Sequence, residues 1–224
     1  MIARALRCAH HAGRAVREAA NLQLRGAWRR ALERRLQPRG IRKVNLCSGS
    51  QKVPGYFGID LLDGADLRLD LATMDLPFAA SSLETVVCMS AINYFTRARA
   101  RQLIREMHRV LQPGGVCRVG VQDLKSLAER YVRGDTEFFH QKLPDGRERF
   151  EGPTLGDKFA AWFYGYAIGA SRCEYFYDFE SLAYLFTAAG FAQIERKAYR
   201  ESRIPEVEHL DNRADQMFFL EAIK

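Results

Sequence analysis

Residues 44–60 read VNLCSGSQKVPGYFGID, which is two short apolar runs joined by a loop of small and polar residues. Short apolar runs that end in turn residues are typical of buried strands in a parallel sheet. The first run leads into Ser48-Gly49-Ser50, where a glycine lets the backbone approach a ligand without a Cβ in the way. The second run ends in Asp60, a hydrogen-bond acceptor. The stretch therefore predicts two strands whose carboxyl ends line a binding site.

Similar apolar runs alternate with helical patterns over the rest of the chain. The predicted strands are 66–71, 84–90 and 116–121, and the predicted helices are 97–111, 123–133 and 178–189. Two last strands, 191–199 and 216–223, are expected to form an antiparallel pair. This alternation predicts an α/β fold with a seven-stranded, mostly parallel sheet and helices on both faces. Such sheets bind ligands beyond the carboxyl ends of their strands.

The positive charge of the chain is concentrated at its N-terminus. The 224 residues carry a formal net charge of +7, but residues 1–40 hold ten arginines, no lysine and two acids, which gives +8. The remainder is therefore close to neutral, at −1. Phosphate contacts need clustered cations, so no nucleic acid is expected as the partner of the body. The charge predicts a basic extension, 1–40, followed by one domain, 41–224.

Residues 2–36 of the extension have apolar side chains at three- and four-residue steps, which predicts an amphipathic helix ended by Pro38 and Gly40. Three interpretations of this helix stay open. Its Ala/Leu stripe could pack on the body or on a second copy of the chain. Its arginines and Trp28 would also suit an interfacial helix on anionic lipid. A transit peptide is the third, although residues 1–38 contain no Ser or Thr.

The cysteines and the hydropathy of the sequence indicate the cellular compartment. The five cysteines form no Cys-x-x-Cys pair and no Cys/His cluster, so we expect a reducing compartment and no metal site. No stretch approaches 18 apolar residues, so no transmembrane helix is expected. We therefore expect a cytoplasmic protein, with peripheral membrane contact or homodimer contact through residues 1–38 as alternatives.

The spacing of Gly49 and Asp60 indicates which class of ligand the site binds. An acid at the end of the second strand can accept hydrogen bonds from a ribose diol. Dinucleotide sites place this acid about 20 residues after a Gly-x-Gly-x-x-Gly motif. Here the glycine motif is missing and the acid follows Gly49 by 11 residues. Without a site for a pyrophosphate, a nucleoside-type cofactor is favoured.

The order of these pieces resembles that of class I S-adenosylmethionine-dependent methyltransferases, which have a Rossmann-like sheet. The resemblance covers about residues 42–224 and is carried by Val44–Ser50, Pro54–Asp60, Leu69–Leu71, Leu76–Phe78, Arg109–Gly115 and Ala189–Phe191. More narrowly, the chain is similar to small bacterial methyltransferase-domain proteins encoded beside polysaccharide or secondary-metabolite genes, in which a short Pro-Gly loop joins the first two strands.

The resemblance implies a cofactor site for S-adenosylmethionine, with S-adenosylhomocysteine as product. Asn45, Cys47, Ser48 and Gly49 would line its methionine and ribose end, and Asp60 would hold the ribose hydroxyls. The remaining implied positions are Leu61 and Leu71 on the adenine, Asp70 on its amino group, and Ser90 near the sulfonium. The chain departs from the family at five places. Asn45 replaces an acid, Cys47 replaces the first glycine, and Gln51 stands where another glycine would be. Ser90–Tyr94 replaces a His…Glu-His pattern, and Gln122-Asp123 replaces Pro-Asp.

Methyl transfer to a hydroxyl needs alignment and a base, because the cofactor supplies the leaving group. The candidates that would face the methyl group are Tyr94, Asn93 and Asp123, and the last could equally be an N-cap. No Asn-Pro-Pro-Tyr-like motif is present, so an oxygen acceptor is preferred.

The section 131–179 is rich in aromatic residues and is the predicted substrate lid, although the same rings could form a small second core. The expected function is methylation of a small-molecule or saccharide acceptor. The alternatives are a non-catalytic, methyltransferase-like binding or scaffold protein and an RNA methyltransferase with an N-terminal arm.

Overall fold

A seven-stranded sheet forms the centre of the computed structural model, which describes residues 23–143, 145–164, 167–168 and 171–224. In chain order its strands are β1 (Lys43–Leu46), β2 (Phe57–Asp60), β3 (Leu67–Arg68), β4 (Leu83–Met89), β5 (Leu111–Gln122), β8 (Gln193–Lys197) and β9 (Met217–Ile223). Two more strands, β6 (Ala167–Ile168) and β7 (Ser171–Arg172), form a separate hairpin.

The spatial order of the main sheet is β3-β2-β1-β4-β5-β9-β8. The first five strands in that order run parallel, whereas β9 is antiparallel to both β5 and β8. The predicted fold class is therefore confirmed, including the antiparallel C-terminal pair. Because β2 and β4 flank β1, the carboxyl ends of these three strands meet at one edge.

Six α-helices occur in the part of the chain that the structure describes. They are α1 (23–36), α2 (Arg97–Val110), α3 (Leu124–Val132), α4 (Thr136–Phe139), α5 (Leu155–Tyr164) and α6 (Phe179–Ala189). Three short 3₁₀ helices cover Gln37–Arg39, Ile92–Tyr94 and Val207–His209. The N-terminal part of the predicted 2–36 helix, residues 1–22, lies outside the described residues.

One face of the sheet is covered by α2 and α6. Leu103, Ile104 and Met107 of α2 and Leu182 and Phe186 of α6 are buried in this main core. Capping residues in the sequence mark where these helices begin and end. Thr96 caps α2 through a hydrogen bond from the Arg99 N–H, and α6 ends at Gly190, whose φ of 100° is costly for other residues.

The opposite face is covered by residues 198–216 together with the β1–β2 loop. Their apolar side chains form a smaller core with this face of the sheet, made of Val53, Tyr56, Val87, Met89, Ile204, Leu210, Met217 and Phe219. The covering segment contains only one short 3₁₀ helix. Its attachment therefore depends on side-chain contacts more than on helix packing.

A buried charge cluster attaches this segment. The guanidinium of Arg118 on β5 is fully buried and donates to both carboxylate oxygens of Asp211, at 2.8 and 2.6 Å. It also contacts Glu221 of β9 at 3.4 Å and lies 5.0 Å from the ring centroid of Phe219. One cation thus joins two strands of the sheet to the segment that lies over them.

The aromatic section 131–179 folds largely into a core of its own. Leu127, Phe138, Phe139, Phe150 and Trp162 are buried together, with Phe159, Phe163 and Phe176 packed against them. These rings contact each other at centroid distances between 4.8 and 6.4 Å. Their described packing is that of a second core, and the role of 131–179 as a substrate lid stays a prediction.

We expect Arg118→Met to lower the free energy of unfolding by about 3–5 kcal/mol, because it leaves two buried carboxylates without their cation. Urea denaturation measures this. The control is Arg42→Met, which breaks the exposed pair with Glu84 and should cost less than about 1 kcal/mol. Equal losses in the two variants would show that the buried cluster does not hold the segment.

Candidate active site

A cavity of about 180 Å³ lies at the carboxyl ends of β1, β2 and β4. Seven of the nine predicted cofactor residues line it, namely Cys47, Gly49, Asp60, Leu61, Asp70, Leu71 and Ser90, and so does Tyr94. Two acids on a mostly apolar surface would suit a ligand with an apolar ring and a few hydroxyl or amino groups. We refer to this space as the first cavity.

Asp60 closes the loop between β1 and β2. Its Oδ2 accepts a hydrogen bond from the Gly49 N–H at 2.7 Å, and its Oδ1 accepts one from the Leu62 N–H at 2.8 Å. A carboxylate offers about four acceptor positions, so each oxygen keeps one for a further donor. The side chain therefore fixes the loop and still has acceptor positions for a diol.

Asp70 holds the next turn in a similar way. Its Oδ1 accepts from the Ala72 N–H at 2.9 Å, and its Oδ2 accepts from the Thr73 hydroxyl at 3.0 Å. Leu71 is buried beside it, and Leu61 projects from the other side of the cavity with about half of its surface exposed. An acid between two leucines is a suitable environment for a flat ring with an amino group.

Three residues of the cavity wall have left-handed backbone angles. They are Cys47 at φ 54°, Gly49 at φ 57° and Ser90 at φ 56°. Two of the three are not glycines, which is uncommon and strained, and such strain is often concentrated at binding sites. Space for a Cβ at Gly49 is open, so its requirement for glycine comes from the backbone angle.

The Cys47 thiol is not set up as a nucleophile. A hydrogen bond with Cys88 and burial raise its pKa well above the ordinary value. A thiol that stays protonated reacts poorly, because the thiolate is the reactive form. This agrees with the interpretation of Cys47 as a small packing residue.

Asn45 and Ser48 lie behind the cavity surface. Both are buried, and neither lines the cavity. Asn45 sits on β1 between Gly58 and Val87 of the neighbouring strands. A Cβ on Gly58 would come within 2.8 Å of the Ser48 hydroxyl oxygen, so these residues make a close strand contact. Their predicted contact with a cofactor stays a prediction.

Ser90 separates the first cavity from a second one. Its hydroxyl lies 2.9 Å from Oδ1 of Asn212 and 3.2 Å from the Met217 sulfur. Met217 lines the second cavity, of about 480 Å³, which also contains Asp123, Lys125, Ser126, Glu129, Arg130, Arg196, Ala214, Asp215 and Gln216. The second cavity is thus strongly polar and adjoins the first across one side-chain contact.

Asp123 is both an N-cap and a wall of the second cavity. Its Oδ1 accepts from the backbone N–H groups of Lys125 and Ser126, at 3.1 and 3.3 Å. Its Oδ2 pairs with the Arg196 guanidinium at 2.6 Å. Arg196 is half exposed, so this partner can move without opening the core. The two roles that the sequence left open for Asp123 are therefore compatible.

Asn93 and Tyr94 lie in the 3₁₀ helix after β4. Tyr94 lines the first cavity, whereas Asn93 is fully buried and donates from Nδ2 to the Cys173 sulfur at 2.9 Å. The Asn93 backbone oxygen accepts from the N–H groups of Glu174 and Tyr175. The three predicted catalytic residues therefore lie apart: Tyr94 lines the first cavity, Asp123 lines the second, and Asn93 is buried. Their catalytic roles stay predictions.

Sequence reasoning missed several residues of both cavities. Leu62, Leu69, Ala72, Ala91 and Phe95 line the first cavity beside the residues that were named. These residues could have been found from the sequence, because they lie close in the chain to Asp60, Asp70 and Ser90. Met217 and Asn212 had no such signal, because they reach Ser90 from more than 120 positions away. Among the described residues, no group of His, Cys, Asp and Glu side chains is placed to hold a metal ion.

Comparison with known families gives one match over part of the chain. A family model described as a methyltransferase domain matches residues 57–119, which run from β2 through most of β5. The matched segment resembles a methyltransferase domain, and the chemistry that it indicates is S-adenosylmethionine-dependent methyl transfer. The acids, leucines and left-handed turns of the first cavity fit this cofactor, which carries a ribose, an adenine and a methionine. The search of curated proteins finds no match.

Solved structures with a similar fold include two bacterial proteins and one from a nematode. An S-adenosylmethionine-dependent methyltransferase from Thermotoga maritima, a possible histamine N-methyltransferase, is 15% identical, with 82% of each chain covered and a TM-score of 0.45. One from Mesorhizobium loti is 17% identical, with 83% of this chain and 91% of that chain covered and a TM-score of 0.46.

The third is phosphoethanolamine N-methyltransferase 2 of Haemonchus contortus, in complex with S-adenosyl-L-methionine. It is 12% identical, with 82% of this chain and 48% of that chain covered and a TM-score of 0.47. At these identities and TM-scores the three likenesses carry no further argument.

The left-handed angle at Cys47 gives a test of the first cavity. Glycine is ordinarily about 0.5–1 kcal/mol less stable than alanine, but a left-handed non-glycine residue costs about 1–2 kcal/mol. We therefore expect Cys47→Gly to be as stable as Cys47→Ala, or more stable, in urea denaturation. Cys88 is the control, because it lies in β4 without a left-handed angle, and there the alanine variant should be the more stable. The same order at both positions would contradict the assignment.

Proposed function

We propose that this methyltransferase transfers the methyl group of S-adenosylmethionine to a hydroxyl oxygen of a small molecule or saccharide. The observation that carries the proposal is the pair of adjoining cavities. The first has the acids and apolar surfaces that a nucleoside cofactor needs, and the second is polar and lies directly across Ser90 and Met217. When bound, the cofactor supplies an electrophilic methyl group on a positively charged sulfur.

In this proposal each cofactor residue has a role that its contacts support. Asp60 accepts the ribose hydroxyls with the acceptor positions that Gly49 and Leu62 leave open. Asp70 accepts from the adenine amino group, and Leu61 and Leu71 pack on the ring. The turn at Cys47 and Gly49 leaves space for the methionine portion. Asn45 and Ser48 support this turn from behind.

The second cavity is the proposed acceptor site. Gln216 lies there with only 4% of its surface exposed, and neither its side-chain oxygen nor its nitrogen has a hydrogen-bond partner in the protein. Buried polar groups without a partner are rare and costly, so a ligand that supplies both a donor and an acceptor would be favoured. Hydroxyl groups do this. The polar lining thus supports an acceptor with several hydroxyls, such as a saccharide.

Asp123 is the proposed general base for the acceptor hydroxyl. A base must come within hydrogen-bond distance of the proton that it removes. Asp123 lines the acceptor cavity, and its Oδ2 would exchange the half-exposed Arg196 for the hydroxyl while Oδ1 remains fixed at the start of α3. Tyr94 would face the reacting atoms from the cofactor side, and the buried Asn93 would hold the 173–175 segment beside it.

Methylation of RNA is less well supported than methylation of a small molecule. Among the residues that line the first cavity there is no arginine or lysine, and in the second cavity the acids balance the positive charge. In the second cavity Lys125, Arg130 and Arg196 are matched by Asp123, Glu129 and Asp215. A phosphate backbone would require an excess of cations there.

Binding of the cofactor tests the first cavity. Asp60→Asn should weaken binding of S-adenosylmethionine about tenfold to a hundredfold, because hydrogen bonds to a charged group contribute about 1.5–3 kcal/mol. Isothermal titration calorimetry measures the affinity. Asp63→Asn is the control, since Asp63 is an exposed neighbour paired with Arg68, and it should bind normally. An unchanged affinity in Asp60→Asn would exclude the proposed role of this carboxylate.

Product formation tests the acceptor class. We expect S-adenosylhomocysteine to form with saccharides or phenols in an acceptor panel that also contains amines and thiols. Asp123→Asn should lower kcat by about 10²–10⁴-fold with the active acceptor, the usual contribution of a general base.

Asp178→Asn is the matched control for Asp123→Asn, because Asp178 caps α6 as Asp123 caps α3 but lines neither cavity. Loss of a helix cap alone would therefore affect both variants. Turnover of amines only would contradict an oxygen acceptor, and equal kcat values in the two variants would contradict the base.

A further inference from the structure

Helix α1 turns an apolar stripe away from the body. Leu24, Ala27, Trp28 and Ala31 recur at helical spacing, and all four are exposed, with Leu24 at 69% and Trp28 at 44%. The sequence predicts an Ala/Leu stripe that packs on the body or on a second copy of the chain. Leu36 of that stripe is buried in the main core, whereas Leu24, Ala27, Trp28 and Ala31 have no partner among the described residues.

The side of α1 that faces the body is different. Gly26, Arg29, Leu32, Glu33 and Leu36 are less exposed, and Leu36 is buried in the main core. Arg25 ties the start of the described helix to the body by donating to the Thr73 backbone oxygen at 3.1 Å. The body therefore fixes α1 in an orientation in which the apolar stripe meets the solvent.

Arginines flank the exposed stripe. Arg30, Arg34 and Arg35 are exposed on α1 and have no ion-pair partner in the described structure. Beside the helix, the groove between α1 and α2 is lined by four arginines. Arg29 pairs with Glu33 and Arg99 pairs with Asp75, which leaves Arg25 and Arg105 without an ion-pair partner among the described residues. This is a surface of apolar residues bordered by uncompensated positive charge.

We propose that this face of α1 docks on an anionic lipid surface. Apolar side chains including a tryptophan, bordered by arginines, are the composition of helices that lie in the membrane interface. The arginines distinguish this partner from a second copy of the chain, because a copy would bring the same positive charge to the contact. The described helices include none with the length and hydropathy of a membrane span.

Trp28 reports directly on this contact. The chain has two tryptophans, and the other, Trp162, is 1% exposed in the second core formed by the aromatic section. Emission of the full chain is recorded with vesicles of phosphatidylcholine alone and with vesicles containing 30% phosphatidylglycerol. We expect a blue shift, and quenching by spin-labelled lipid, with the anionic vesicles only, and a loss of both at 0.5 M salt.

Co-sedimentation with the same vesicles tests the residues. Arg30→Gln/Arg34→Gln should bind about thirtyfold more weakly, because a basic residue near an anionic surface contributes about a factor of five. Leu24→Ser should also weaken binding. The controls are Arg133→Gln/Lys142→Gln, which removes two exposed charges elsewhere, and Tyr184→Ser, which removes an exposed apolar residue from α6. Both controls should bind like the wild type.

Three results would overturn the proposal. The first is unchanged Trp28 emission with anionic vesicles. The second is equal binding to both vesicle types. The third is a blue shift that rises with protein concentration without lipid, accompanied by a dimer in sedimentation velocity, which would assign the stripe to a second copy. None of these readouts depends on methyl transfer, so the outcome is separate from that of the proposed function.

Discussion

The buried guanidinium of Arg118 is the contact on which the second face of the sheet depends. Asp211 takes both of its paired donors, and Glu221 lies close by, so one cation faces two carboxylates in a region without solvent. The extra negative charge is compensated by further donors: the Arg200 N–H to Asp211, and the Ser202 hydroxyl and Arg203 N–H to Glu221. A buried ion pair is weak evidence for net stability compared with an apolar core, but it is costly to break. It therefore specifies one position for a segment that otherwise has little regular structure.

The position of this segment also affects the candidate active site. The segment that Arg118 holds brings Asn212 to the Ser90 hydroxyl, and its His209 backbone oxygen accepts from the Gln51 side chain in the β1–β2 loop. The first cavity therefore has one wall fixed from within the sheet, by Asp60, and others fixed from the covering segment. This arrangement is consistent with the β1–β2 loop, in which Gly49 and Gly55 have left-handed angles and Cys47 adopts such an angle without being a glycine. Contacts from outside the loop supply the rigidity that a longer glycine motif followed by a helix would provide.

The sequence predicted the features whose signals are local. Asp60 and Asp70 stand at the ends of apolar runs, and strand ends in a parallel sheet converge, so their place on one cavity followed from their position in the chain. Arg118 gave no such signal, since a charged residue inside an apolar strand reads as a solvent-facing position until its partners 80 to 103 residues away are known. Met217 and Gln216 were predicted only as part of a last strand, and their place beside Asp123 required the antiparallel pairing of β5 and β9. The orientation of α1 could not be read from its periodicity, because an apolar stripe indicates that a face will be covered and not what will cover it.

The turn at residues 70–73 connects the two parts of the molecule that the charge distribution separates. Arg25 of α1 donates to the Thr73 backbone oxygen, while the Thr73 hydroxyl donates to Asp70 on the wall of the first cavity. One residue thus touches both the basic helix and the proposed adenine site. If docking of α1 alters this turn, it must change the affinity for the cofactor by the same factor by which the cofactor changes docking, since coupling between two binding equilibria is reciprocal. The basic extension is then more than an attachment to a neutral enzyme, because the hydrogen bond from Arg25 to the body ends at Thr73, whose hydroxyl donates to Asp70, the carboxylate proposed to bind the adenine.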